Sequence, residues 1–257
     1  MFSEVSLNDV VDGIGMIGFA LAGLLATEKY RVDPVGVFVA IFSTAFGGGI
    51  VRDIMLDLRP FYWMSHPQWI WLAFVMTIFA PPLIRKTREG WRNIVYIWAD
   101  AIGLAFFAVG STATAWSHNQ GAFVSVLIGV ATGVFGGMLR DVFCNRLPAV
   151  LSDKKPYAAA AFLGGWLYLG LIEWSHVDKA LALWFSCFVV VAVRMISFKI
   201  PILEITYDDD DLREQVREQR HEKTDAEVKA LPAPKPAEQV TLTKSEDVVT
   251  VLPPERK

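Results

Sequence analysis

The chain reads as an all-α integral membrane protein with seven transmembrane helices, arranged as an inverted repeat of three plus three spans followed by one more. Three observations lead there. Of its 257 residues 53% are hydrophobic and nine are tryptophan, and the mean hydropathy is +0.38, in apolar stretches too long and too numerous for a soluble core. One unusual segment occurs twice: Thr44-Ala45-Phe46-Gly47-Gly48-Gly49-Ile50-Val51-Arg52-Asp53 returns as Thr132-Gly133-Val134-Phe135-Gly136-Gly137-Met138-Leu139-Arg140-Asp141, each time closing an apolar run. Lysine and arginine, finally, crowd into alternate loops, as they do in a chain with a fixed orientation across a bilayer.

Apolar segments near 11–27, 34–56, 68–84, 94–116, 121–144, 157–173 and 179–198 each approach the roughly 20 residues a helix needs to cross hydrocarbon. The first has no basic region or small-residue cleavage site before it, so it is expected to remain a span rather than be removed as a signal peptide. Asp33-Pro34 opens the second; proline suits a first helical turn because its missing N–H would be unpaired there anyway. Arg59-Pro60 separates the second span from the third, Pro81-Pro82 closes the third, and a basic loop precedes the fourth. Asn119-Gln120-Gly121 introduces the fifth, Leu147-Pro148 and Lys155-Pro156 bracket the approach to the sixth, and the seventh ends near Arg194. Loops this short hold no soluble catalytic domain. From 201 to 257 the composition turns charged and proline-rich, with 13 acidic against 9 basic residues from 208 onward, and reads as a disordered cytoplasmic tail with a short polar helix around 211–230.

One set of loops and span ends holds Lys29, Arg31, Arg85, Lys86, Arg88, Arg92, Arg146, Lys154, Lys155, Arg194 and Lys199; the other holds only Arg59 and Lys179. Positive loops stay in the cytoplasm. The expected protein is therefore multi-pass in the plasma (inner) membrane, with its N-terminus outside and its tail inside, which requires an odd number of spans. The duplication extends beyond the glycine segment. At an offset of 88 residues Asp12 corresponds to Asp100, Gly15 to Gly103, Phe19-Ala20 to Phe107-Ala108, Thr44 to Thr132, Gly48-Gly49 to Gly136-Gly137, Arg52-Asp53 to Arg140-Asp141 and Pro60 to Pro148, with no gap. Repeat one covers about 8–84, repeat two about 94–173, and the helix at about 179–198 is unpaired. A three-span unit crosses an odd number of times, so its second copy enters from the opposite side and the copies are inverted. That architecture recurs in transport proteins, with the permeation site near the midplane.

Glycine loosens a helix and charge is costly in hydrocarbon, so a span that keeps both has a use for them. Gly47-Gly48-Gly49, and Phe135-Gly136-Gly137 in the second copy, let a helix kink or unwind; freed carbonyls at membrane depth must face protein or water, and there they could coordinate a passing cation. Arg52 with Asp53, and Arg140 with Asp141, lie one turn further on, where each pair can neutralise itself or the other copy. Thr44 and Thr132 precede the glycines, and Asp12 and Asp100 add a carboxylate near one end of the first and fourth spans. The plainer reading is that the glycines permit close helix packing and the charges form a cross-repeat or interfacial ion pair. Phe135 stands where a third glycine would complete the symmetry, and a narrowing of one half of a shared path is expected there.

The doubled Gly-Gly-x-x-Arg-Asp, the proline trailing each copy, the outside N-terminus and the three-plus-three-plus-one plan closely resemble the bacterial branch of the trimeric intracellular cation (TRIC) channel family, also known as the UPF0126 or glycine transporter domain family, over about residues 8–200. The resemblance implies a homotrimer in the lipid bilayer, one pore per protomer formed mainly by kinked second and fifth helices, and passage of potassium or another monovalent cation. It maps the kinks onto Gly47-Gly48-Gly49 and Phe135-Gly136-Gly137, and the pore charges onto Arg52, Asp53, Arg140 and Asp141. The alternative is a secondary transporter of glycine or a similar small zwitterion, held by unwound helix ends.

No nucleophile–base set, zinc-ligand spacing or phosphate loop is present, so no enzyme, cofactor or metal is expected, and no nucleic-acid partner. Cys144 and Cys187 fall inside expected spans and read as buried apolar thiols. His66, His118 and His176, each preceded by serine and each in an outer loop, read as interfacial polar residues, with an outer pH or metal sensor as the alternative.

Overall fold

The computed structural model describes residues 7–200 except 29, 31, 85–87 and 153–154; the charged tail lies outside the described residues. Nine helices follow one another among those described: α1 (Leu7–Thr27), α2 (Pro34–Met55), α3 (Tyr62–Ser65), α4 (Pro67–Ile84), α5 (Glu89–Ser117), α6 (Ala122–Phe143), α7 (Ala149–Ser152), α8 (Ala158–Glu173) and α9 (Lys179–Ser197). The turns α3 and α7 are four residues each, too short to stand out in the hydropathy pattern. Five helices are long and apolar enough to cross a membrane, namely α1, α2, α5, α6 and α9, while α4 and α8 contribute shorter apolar stretches. Trp71, Phe79, Trp91, Leu181 and Phe188 remain 63–70% exposed. An outer surface of this kind belongs against lipid rather than water.

Local chemistry sets the helix ends. Asp33 accepts a hydrogen bond from the Gly36 N–H at 2.8 Å, capping α2 with Pro34 in its first turn. At the other end Asp57 takes a left-handed conformation (φ 51°), with Leu58 N donating to Asp53 O at 2.8 Å and Asp57 N to Ile54 O at 3.2 Å. This is a Schellman cap. Helix α6 ends the same way: Asn145 has φ 51°, Arg146 N donates to Asp141 O at 2.8 Å and Asn145 N to Val142 O at 3.0 Å. Both caps sit at the 88-residue offset, so the repeat holds down to individual hydrogen bonds.

The two copies meet face to face and run antiparallel. A Cβ on Gly15 would touch the Phe107 ring, and one on Gly103 would strike the Phe19 ring. A Cβ on Gly48 would collide with the Thr132 carbonyl oxygen, and one on Gly136 with the Thr44 carbonyl oxygen. Each contact is matched by its own reciprocal, which is the signature of a two-fold axis. Phe19 and Phe107 are equivalent residues and stack on each other, ring centroids 5.3 Å apart at 19°, so the axis passes between them. Val11 meets Gly110 while Gly18 meets Ala99 and Gly103, and Thr44 meets Gly136 while Gly48 meets Thr132, so both helix pairs run antiparallel and the copies are inverted relative to one another. Helix α9 packs on α5 and α8, has no partner across the axis among the described residues, and buries Leu183, Cys187 and Val190.

Helices α2 and α6 each run unbroken through their glycines. The expected unwinding is therefore not present; the absent side chains instead bring one backbone onto the other, in the arrangement of Cα–H···O=C contacts between close-packed helices. Thr44 Oγ1 donates to Ala40 O at 2.6 Å and Thr132 Oγ1 to Ile128 O at 2.7 Å, so both hydroxyls are satisfied within their own helix. Gly48→Ala and Gly136→Ala should each lower the thermal stability of the detergent-solubilised protein, by about 1–3 kcal/mol as for other overpacked sites. Gly90→Ala, with nothing within 4 Å of the added carbon, should leave it unchanged.

Candidate functional site

The doubled charges form two clusters, one at each end of the α2–α6 crossing. In the first, Arg52 Nη1 donates to both oxygens of Asp12 at 2.9 Å, and Arg52 Nε donates to Asp53 Oδ1 at 2.9 Å. Asp53 Oδ2 accepts from the Tyr62 backbone N–H at 2.8 Å, fixing the start of α3. In the second, Arg140 Nη1 donates to Asp100 Oδ1 at 2.6 Å and Nε to Asp141 Oδ1 at 3.0 Å, while Asp141 Oδ2 accepts from Ala149 N–H at 3.0 Å, at the start of α7. All six side chains are buried, Arg140 completely. The ion pairs form within each repeat and join α1 to α2 and α5 to α6. In such a dry setting an arginine is tolerable only because its carboxylates meet it with direct hydrogen bonds.

Aromatic rings cover both guanidinium groups. Tyr62 lies 5.8 Å from Arg52 and Tyr96 lies 5.0 Å from Arg140, within the range of cation–π attraction. Burial, and then the charge of Asp12, push the Tyr62 phenol up from its ordinary value, so it stays protonated. The ends differ in what else reaches them. Asp9 and His66 flank the first, 3.7 Å apart, with His66 stacked on Tyr62 at 4.1 Å. The second gains Tyr157, whose hydroxyl donates to Asp100 Oδ1 at 3.3 Å, and Arg194 from α9, with Nη2 4.0 Å from Asp100 Oδ2. A cavity of about 670 Å³ opens beside this second cluster, lined by Leu25, Glu28, Arg92, Tyr96 and Arg146, and Tyr96 is its shared wall with Arg140.

The glycines divide by environment. Gly48 and Gly136 sit at the helix crossing, and a Cβ on Gly47 would lie 2.6 Å from the Leu139 side chain. Gly49 has only Phe107 near it, at 3.9 Å from an added carbon. Gly137 faces the second cluster, where a Cβ would stand 2.8 Å from the Tyr157 hydroxyl and 3.8 Å from Asp100 Oδ1. Thr44 and Thr132 are fully buried at the crossing and Phe135 is half-buried on α6. Among the described residues no group of three or more His, Cys, Asp or Glu side chains comes together to hold a metal.

Four contributors were not singled out from the sequence: Tyr62, Tyr96, Tyr157 and Arg194. Two had a readable signal. Tyr96 lies one turn before Asp100 on the same helix face, and Arg194 continues the buried stripe of Leu183, Cys187 and Val190 at helical spacing. It was grouped with the positive span ends, but it is 3% exposed and turned inward.

Fold and site together define an all-helical membrane protein built from two inverted copies, with a buried arginine–aspartate cluster contributed by each. The family model described as "Glycine transporter" matches residues 9–83 and 97–173, the two copies in turn. The chain belongs to this family, the bacterial TRIC / UPF0126 family. It is 36% identical over 155 residues to the UPF0126 inner membrane protein YadS of Escherichia coli K12, covering 60% of this chain and 74% of that one. To the UPF0126 membrane protein YvgT of Bacillus subtilis it is 31% identical over 193 residues, 74% of this chain and 91% of that one. Among solved structures it is similar to the TRIC trimeric intracellular cation channel orthologue from Rhodobacter sphaeroides, with a TM-score of 0.68 and 27% identity over 74% of this chain and 96% of that one. The crystal structure of a prokaryotic TRIC channel in 0.5 M KCl matches with a TM-score of 0.70 and 28% identity over 75% and 96%.

Arg52→Met and Arg140→Met should each cost on the order of 3–5 kcal/mol of stability, because each strands buried carboxylates. Combining Arg52→Met with Asp12→Leu should cost less than Arg52→Met alone, a coupling that a double-mutant cycle on thermal unfolding in detergent would read.

Proposed function

We propose that the protein is a monovalent cation channel, passing potassium along α2 and α6 through one pore in each protomer of a homotrimer. The observation that carries this reading is the pair of buried Arg–Asp clusters, matched across the two-fold axis and set at opposite ends of one helix crossing. The likeness to TRIC cation channels over nearly their whole length supports it. A path that begins and ends at carboxylates held by arginine offers a cation negative oxygens without a large excess charge to desolvate. Asp12, Asp53, Asp100 and Asp141 are the proposed contacts; between them Thr44, Thr132, Gly47, Gly48, Gly49, Gly136 and Gly137 line the path once α2 and α6 part at their crossing, which is closed in this structure, and the cavity at Arg92 and Arg146 is the proposed vestibule. Phe135 is the proposed narrowing.

In the same reading α4 and α8 also span, giving seven crossings with the N-terminus outside. Residues 1–200 form the membrane domain and 201–257 a cytoplasmic extension. Purified protein in planar bilayers should carry potassium current, and proteoliposomes should show no saturable uptake of labelled glycine. Saturable glycine uptake without potassium current would replace the channel by a transporter. Asp53→Asn and Asp141→Asn, in whatever fraction folds, should lower potassium conductance or cation selectivity; unaltered values would confine the charges to a structural role.

A further inference from the structure

We propose that Arg194, supplied by the unpaired helix α9, makes the two ends of the path electrically unequal, so that cation current rectifies. This rests on the channel reading and adds the residue that breaks its symmetry. With carboxylates ionised, the first cluster sets one arginine, Arg52, against Asp12 and Asp53, an excess of one negative charge. The neighbouring Asp9 and His66 are partly exposed and do not reverse that sign. Among the described residues the second cluster sets two arginines, Arg140 and Arg194, against Asp100 and Asp141, and is balanced, and the charges lining the cavity beside it, Arg92 and Arg146 against Glu28 and Glu89, balance as well.

The geometry shows that Arg194 is built into the cluster. Its Nη1 donates to Pro156 O at 3.3 Å, and its guanidinium lies over the Tyr157 ring at 4.5 Å and the Phe198 ring at 5.1 Å. The two equivalent aspartates differ accordingly. Asp12 gives both oxygens to Arg52, whereas Asp100 gives Oδ1 to Arg140 and Tyr157 and turns Oδ2 toward Arg194. Packing alone does not call for an arginine here, since Leu183, Cys187 and Val190 already form the buried stripe of α9.

A fixed negative charge at one mouth concentrates cations there and favours current entering from that side. One charge about 10 Å from the ion in water corresponds to roughly a twofold effect. The test compares currents at equal and opposite voltages in planar bilayers holding the full chain in symmetric KCl of about 10 mM, where screening is weakest. The wild type should show a current ratio of about two or more. Arg194→Gln should bring the ratio toward one and raise conductance, while Arg194→Lys should keep the wild-type ratio. Arg194→Gln gives the second cluster the net charge that the first already carries, and it also takes the arginine away from Asp100 Oδ2. A linear wild-type current overturns the proposal whether or not the variant folds. So does an unchanged ratio in Arg194→Gln, or a lost ratio in Arg194→Lys. Absence of any wild-type potassium current overturns the channel reading, and this inference with it.

Discussion

Two helix backbones in contact, with no side chain between them, fix the geometry of everything else in this protein. Gly48 against the Thr132 carbonyl and Gly136 against the Thr44 carbonyl leave no space for even one methyl group. In lipid there is little hydrophobic gain from bringing helices together, so close approach and the dispersion and polar contacts it allows are the main sources of association. With α2 and α6 held at that distance, their C-terminal turns are carried to opposite ends of the bundle. The Arg-Asp pairs that follow the glycines by one turn are therefore separated rather than joined.

Charge satisfaction then closes each end. Arg52 and Arg140 are held by two aspartates each, one from the next residue and one from a neighbouring helix, and the second oxygen of the adjacent aspartate takes the first N–H of a short helix. One motif thus pins three pieces of chain: the end of α2 or α6, the start of α1 or the middle of α5, and the loop that leads on. The Schellman caps beside it, with Asp57 and Asn145 in the left-handed conformation, turn that loop back toward the charges. Asparagine and aspartate tolerate that conformation better than most residues.

The fold was legible because duplication writes the same constraints twice. Glycine and charge inside apolar runs are improbable, so their return at a constant offset disclosed both the repeat and its inversion. The role of the glycines was less legible: a glycine that lets a helix unwind and one that lets a helix be approached look alike in sequence, and only the facing carbonyls of Thr44 and Thr132 distinguish them. Partner choice within the charged clusters was open for a similar reason, since the next-residue pairing is local while Asp12 and Asp100 lie 40 residues from their arginines. Arg194 belongs to α9, outside the duplicated part of the pattern, and at the 88-residue offset Tyr157 corresponds to Trp69, which has no hydroxyl, so nothing in the first repeat foretold either contact.

Joining the two copies in one polypeptide frees each residue near the axis from having to fit its own image. In a dimer of separate identical chains, the site of Gly47 and the site of Phe135 would hold the same residue, and two phenylalanines would place a ring where an added carbon already meets the Leu139 side chain at 2.6 Å. The fused chain holds one of each. Substitution can then reshape one half of the crossing while the other stays fixed, which no self-assembling pair of these units could do.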